Sequence, residues 1–251
     1  MAKKPMQLCE DDIVFIHHFR DDLPRLDGGV ERLPRDYESA KKRQKVLPSF
    51  LRLSYLQEQP LVWINGFPGV GKLTIARELV KFYEQQDVVL IDNHQLIDPV
   101  AAKWKRDDPE YYTERRRERL RALGRWVLPA EECQRLVVFT DCRSDDELGT
   151  AVGKEYEQAA AAAAAASGGR VFIPILLLCE EVDNLQRATS TERQGSGTTK
   201  LTDLEVVRQL RAQHTMLTFD LPTQLTLDIS MLSVAEAALK LYEHIARFDE
   251  T

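Results

Sequence analysis

The nine residues Gly66-Phe67-Pro68-Gly69-Val70-Gly71-Lys72-Leu73-Thr74 constrain this chain more than any other stretch. They follow the apolar run Leu61-Val62-Trp63-Ile64-Asn65, which reads as a buried strand, and they open a segment, 72–85, that reads as a helix. Glycines let the backbone turn so that successive N–H groups point at phosphate oxygens. The helix N-terminus adds partial positive charge, and Lys72 adds a full one. Residues 66–74 are therefore the candidate cradle for the β- and γ-phosphates of a nucleoside triphosphate. The usual pattern places Ser or Thr directly after the lysine. Here Leu73 stands there and Thr74 follows one place later.

The stretch from Pro60 onward alternates short apolar runs with helical segments. Further strands are expected at 87–91, 135–140, 171–178 and 225–229. Runs that are apolar on every side suit a parallel sheet covered on both faces, and the alternation with helices implies right-handed crossovers. The expected architecture is three-layer α/β, with a five-stranded parallel sheet over 60–251 and an N-terminal extension over 1–59. Pro174 sits awkwardly in its strand, because proline cannot donate to a ladder. The eight alanines of 159–166 read as the end of a helix over 145–166, with Gly168-Gly169 as its C-cap. In the extension, 37–56 reads as a helix carrying the basic cluster Lys41-Lys42-Arg43-Lys45, interrupted by Pro48.

Composition excludes several classes. The formal net charge of −6 gives no basis for wrapping nucleic acid, and it leaves room for a local site that binds a small anion. The most apolar run, 171–179, is nine residues and falls short of the roughly 20 a spanning helix needs, so no membrane role is expected. The first residues run into Glu10-Asp11-Asp12 without the apolar centre of a signal peptide. The four cysteines include no C-x-x-C pair, which argues against a disulfide framework or structural zinc. A cytoplasmic monomer or homodimer is the expectation.

The guanine-specificity pattern N-K-x-D is absent, and so is L-S-G-G-Q. With the shifted loop, Asp92-Asn93-His94 after the second strand, Asp141-Cys142-Arg143 after the third, and an arginine-bearing helix leading into a polar loop, residues 60–248 resemble the nucleoside-monophosphate-kinase-like superfamily of P-loop proteins. That superfamily includes adenylate, shikimate, gluconate and chloramphenicol kinases. The strings G-F-P-G-V-G-K-L-T, D-N-H-x-L-I-D-P and T-D-x-R-S-D are also similar to P-loop kinase-like proteins without an assigned substrate. The resemblance implies an ATP- and Mg²⁺-dependent phosphotransferase acting on a small-molecule acceptor. The alternative is a P-loop ATPase or a nucleotide-binding regulatory protein without a small acceptor.

Ligands of open α/β sheets bind beyond the carboxyl ends of the strands, so Asp92 and Asp141 both face the expected site. By the resemblance, Asp92 orients the acceptor and takes its proton, with His94 as a substrate contact or alternative base. Asp141, at a strand end like a Walker B aspartate, holds Mg²⁺ across from Thr74, directly or through water. Arg143 meets an anionic acceptor or phosphate. The segment 185–201 is the implied lid, supplying Arg187 and Arg193 to the transferring phosphoryl group, with Arg211 next in line. The helical, arginine-rich stretch 98–128 occupies the place of an acceptor-binding insert. Most of its arginines read as a solvated face, with one or two left to bind a phosphorylated or acidic acceptor.

Overall fold

The computed structural model describes residues 58–83, 86–167, 170–189 and 201–248. The expected helix at 37–56, the Gly168-Gly169 cap and Arg193 lie outside these residues. The elements run β1 (Leu61–Asn65), α1 (Lys72–Val80), β2 (Val88–Ile91), α2 (Asn93–Ala101), α3 (Tyr111–Trp126), β3 (Leu136–Thr140), α4 (Glu147–Ser167), β4 (Phe172–Leu178), α5 (Glu181–Ala188), α6 (Leu204–Gln213), β5 (Leu225–Asp228) and α7 (Val234–Ala246). The five strands form one parallel sheet in the order β2-β3-β1-β4-β5.

Burial follows sheet position. Every residue of β1 and β3 is buried, as strands with neighbours on both edges and helices on both faces must be. The edge strand β5 alternates half-buried and exposed positions instead. Pro174 pairs in register with Trp63 of β1, whereas β5 begins opposite Ile175. The proline thus stands where β4 has a strand on one side only, which is how the sheet tolerates it.

The helices shift by a few residues from their expected ends. The α1 helix gives way at Val80 to a 3₁₀ turn, Lys81–Tyr83. The α4 helix begins at Glu147, because Asp146 accepts from the Gly149 N–H at 2.7 Å and so ends the preceding loop. Its alanines face the sheet at helical spacing: Val152, Tyr156, Ala159, Ala160 and Ala163 are buried. Gly153 belongs to the same face, where a Cβ would come within 2.6 Å of Leu217. The α7 helix opens with the expected capping box, in which the Glu236 N–H donates to Ser233 Oγ and the Ser233 N–H donates to Glu236 Oε2.

Candidate active site

The carboxyl ends of β1, β2 and β3 open into one cleft of about 1920 Å³. Strand order reverses across β1, with β3 on one side and β4 on the other, so the cleft lies at the topological switch point. The loop 67–74 forms one wall of it.

Three positive-φ glycines shape that loop: Gly66 at 151°, Gly69 at 86° and Gly71 at 103°. A Cβ on Gly66 would lie 2.6 Å from the Leu177 carbonyl oxygen, and one on Gly69 would lie 2.7 Å from Ala188 Cβ. Both positions therefore require glycine for close approach as well as for backbone angle. Gly71 stands at the N-cap of α1, so the first helical N–H groups open toward the loop. Lys72 Nζ donates to the carbonyl oxygens of Gly66 at 2.6 Å and Phe67 at 2.9 Å, which stations the ammonium over the loop. Thr74 is exposed and lines the cleft, as does the half-buried Leu73.

Asp92 and His94 stand on the same cleft beyond β2. Asp92 is the N-cap of α2, and its N–H donates to Gln95 Oε1 at 2.7 Å. Its carboxylate accepts from Thr140 Oγ1 at 2.9 Å, a tie to the end of β3 that capping alone does not need. His94 Nδ1 lies 3.4 Å from Asp98 Oδ1, so the imidazole is oriented along α2.

Asp141 is 1% exposed. Its Oδ1 accepts from the Cys142 N–H at 2.8 Å and lies 3.0 Å from Arg143 Nε. Burial pushes the carboxyl up, but the Arg143 guanidinium and the Cys142 N–H outweigh it and hold the group below the usual carboxylate range. The same pairing raises Arg143 against its own desolvation. Asp141 Oδ2 is buried and has no hydrogen-bond partner among the described residues. An open carboxylate oxygen on the cleft that Thr74 also lines suits Mg²⁺, which takes one or two protein oxygens beside substrate phosphates.

The remaining expected residues divide. Arg187, in the last turn of α5, lines the cleft. Arg211 stands behind the loop: its Nη1 donates to Asn184 Oδ1 at 3.0 Å, its Nη2 to the Cys179 carbonyl at 3.2 Å, and its guanidinium lies 5.0 Å from the Phe67 ring centroid. It braces the loop and is not among the residues that line the cleft.

Two asparagines complete the frame. Asn65, 1% exposed, donates to the carbonyls of Arg143 at 2.9 Å and Leu217 at 3.1 Å and accepts from the Arg143 N–H at 2.8 Å, fixing the segment after β3. Asn184 donates to the Pro68 carbonyl at 2.8 Å. Sequence reasoning assigned neither a role, and only an amide at an apolar strand's end hinted at Asn65. In the insert, Arg115 and Arg119 of α3 are the buried arginines, and both line the cleft.

No protein-family model matches this chain, and no curated protein does. Solved structures do. A candidate kinase from Chloroflexus aurantiacus matches at a TM-score of 0.53 with 17% identity, covering 76% of this chain and 98% of that one. The protein APE1195 matches at 0.50 with 18% identity, covering 77% and 98%. The Mycobacterium tuberculosis APS kinase in complex with AMPPNP and APS stands at 0.48 and 16%, covering 76% and 99%. The α/β fold with a five-stranded parallel sheet, as the sequence led one to expect, is shared with the first two of these structures. Among the described residues, no helix is long and apolar enough to cross a membrane.

Proposed function

We propose that this protein is an ATP-dependent phosphotransferase that moves the γ-phosphoryl group to a hydroxyl of a small acceptor. One observation carries the reading: the phosphate-cradling loop with Lys72 and the carboxylate of Asp92 line the same cleft at the sheet's switch point.

In this reading the N–H groups at the start of α1 and Lys72 hold the β- and γ-phosphates. Asp92, steadied by Thr140, orients the acceptor hydroxyl and accepts its proton. A bond forms between the acceptor oxygen and the γ-phosphorus, and the bond to the β–γ bridging oxygen breaks. ADP leaves with that electron pair. Arg187 faces the transferring group from α5. Thr74 and Asp141 would hold Mg²⁺, which would supply charge neutralisation to the phosphates.

The test is incubation of the full chain with ATP, Mg²⁺ and a panel of hydroxyl metabolites, read by ³¹P NMR. The expected result is a phosphomonoester together with slow hydrolysis when the acceptor is omitted. Fast acceptor-independent hydrolysis, or no nucleotide binding by the wild-type chain, overturns the reading.

A further inference from the structure

The glycine loop is held from outside the cleft. Helix α5 lays Asn184 and Ala188, one turn apart and both 0% exposed, against it. Asn184 Nδ2 donates to the Pro68 carbonyl at 2.8 Å, and a Cβ on Gly69 would lie 2.7 Å from Ala188 Cβ. Residues 67–74 all line the cleft, whereas Asn184 and Ala188 do not. The two contacts bracket one peptide unit, the one that joins Pro68 to Gly69. A trans peptide sets its C=O and its N–H in opposite directions. A Pro68 carbonyl turned out to Asn184 therefore sends the Gly69 N–H toward the cleft.

An amide could offer Pro68 either of its ends, and Arg211 decides which. A guanidinium only donates, so Arg211 Nη1, 3.0 Å from Asn184 Oδ1, leaves Nδ2 for the carbonyl. Arg211 is itself fixed, because its Nη2 donates to the Cys179 carbonyl at 3.2 Å and its guanidinium lies 5.0 Å from the Phe67 ring centroid. It stands one turn past Val207, through which α6 packs on Leu185 and Ala188 of α5. Packing alone does not call for this polarity. A leucine at 184 would extend the apolar contact, and a buried amide is costly unless its groups are used. Here both ends are used, and what they fix is one N–H of the loop.

Resting on the nucleotide site of the phosphotransferase reading, we propose that Asn184, oriented by Arg211, is a positioning residue that aims the Gly69 N–H at the triphosphate. Neither side chain touches the nucleotide. Both act through the Pro68–Gly69 peptide, so the cradle is preorganised before its ligand arrives.

The experiment titrates the full chain with Mg²⁺–AMPPNP and, separately, with inorganic tripolyphosphate, by calorimetry. Asn184→Asp keeps the acceptor for Arg211 and removes the donor to Pro68. It is expected to hold its melting temperature near that of wild type while binding both ligands about tenfold more weakly or worse. In ¹⁵N-glycine-labelled wild type, the Gly69 amide proton should move downfield as tripolyphosphate binds; in Asn184→Asp that movement should be lost. A folded Asn184→Asp with wild-type affinity, or with the Gly69 movement intact, overturns the proposal. Arg211→Met frees the amide to rotate and should weaken both ligands about threefold or more. It carries the test if Asn184→Asp does not fold, and wild-type affinity in it then overturns the proposal. A wild-type chain that binds neither ligand sinks the phosphotransferase reading and this proposal together, a result distinct from binding that the variants leave unchanged.

Discussion

In the proposed phosphotransfer, Lys72 and Asp92 make separable demands. Lys72 would contribute charge-assisted hydrogen bonds to the phosphates, worth roughly 1.5–3 kcal/mol each. Lys72→Ala is therefore expected to weaken AMPPNP binding at least tenfold in a fluorescence titration; unchanged affinity removes the phosphate role. In the same reading Asp92 contributes proton transfer and orientation, typically about 10²–10⁴-fold in rate. Asp92→Asn should lower turnover by about 100-fold or more while AMPPNP affinity stays within twofold. Asp141 makes a third kind of demand, on stability. Its carboxyl is depressed in the folded state, so the pair with Arg143 stabilises the fold above the ordinary Asp value of about 3.9 and loses that contribution as pH falls below it. Asp141→Asn strands a buried guanidinium and should cost about 3–5 kcal/mol near neutral pH. Urea unfolding at a series of pH values checks this: the gap between wild type and variant should close toward pH 2. A gap independent of pH would show that charge is not what the carboxylate supplies.

At the scale of elements, legibility depended on how local the cause was. The strands fell within one or two residues of their expected positions, because a run apolar on all sides has few other homes. Ile229 falls one residue past β5, although its N–H still reaches the Leu178 carbonyl of β4 at 2.9 Å. The glycine loop was legible because its residues act on one another. The braces were not: Asn65 binds Leu217 across 152 positions and Asn184 binds Pro68 across 116, and nothing near either asparagine announces its partner. The buried face of α3 was hidden for a related reason, since a row of arginines looks solvated until Glu155 is folded against it. The contact of the loop with α5 yields an element-scale prediction. Gly69→Ala combines a φ of 86° with a Cβ 2.7 Å from Ala188, and should destabilise the protein by about 1–3 kcal/mol, measured by thermal unfolding. A melting temperature equal to wild type would mean that the loop has room to relax.

For the sheet as a whole, protection should be graded from centre to edge. Amides of β1 and β3 are covered on every side, whereas β5 alternates toward solvent. Native-state hydrogen exchange is expected to show β1 and β3 exchanging only through global unfolding and β5 opening at a lower free energy; uniform protection would contradict that gradient. The brace formed by Asn184 and Arg211 also sets an order in time. The glycine loop leaves the ribosome more than a hundred residues before the asparagine that holds Pro68, and later still comes the arginine that stacks on Phe67. A nascent chain that has emerged only through β3 carries every residue of the glycine loop and neither of these two braces. In the proposed reading, nucleotide capture waits until α5 and α6 have emerged.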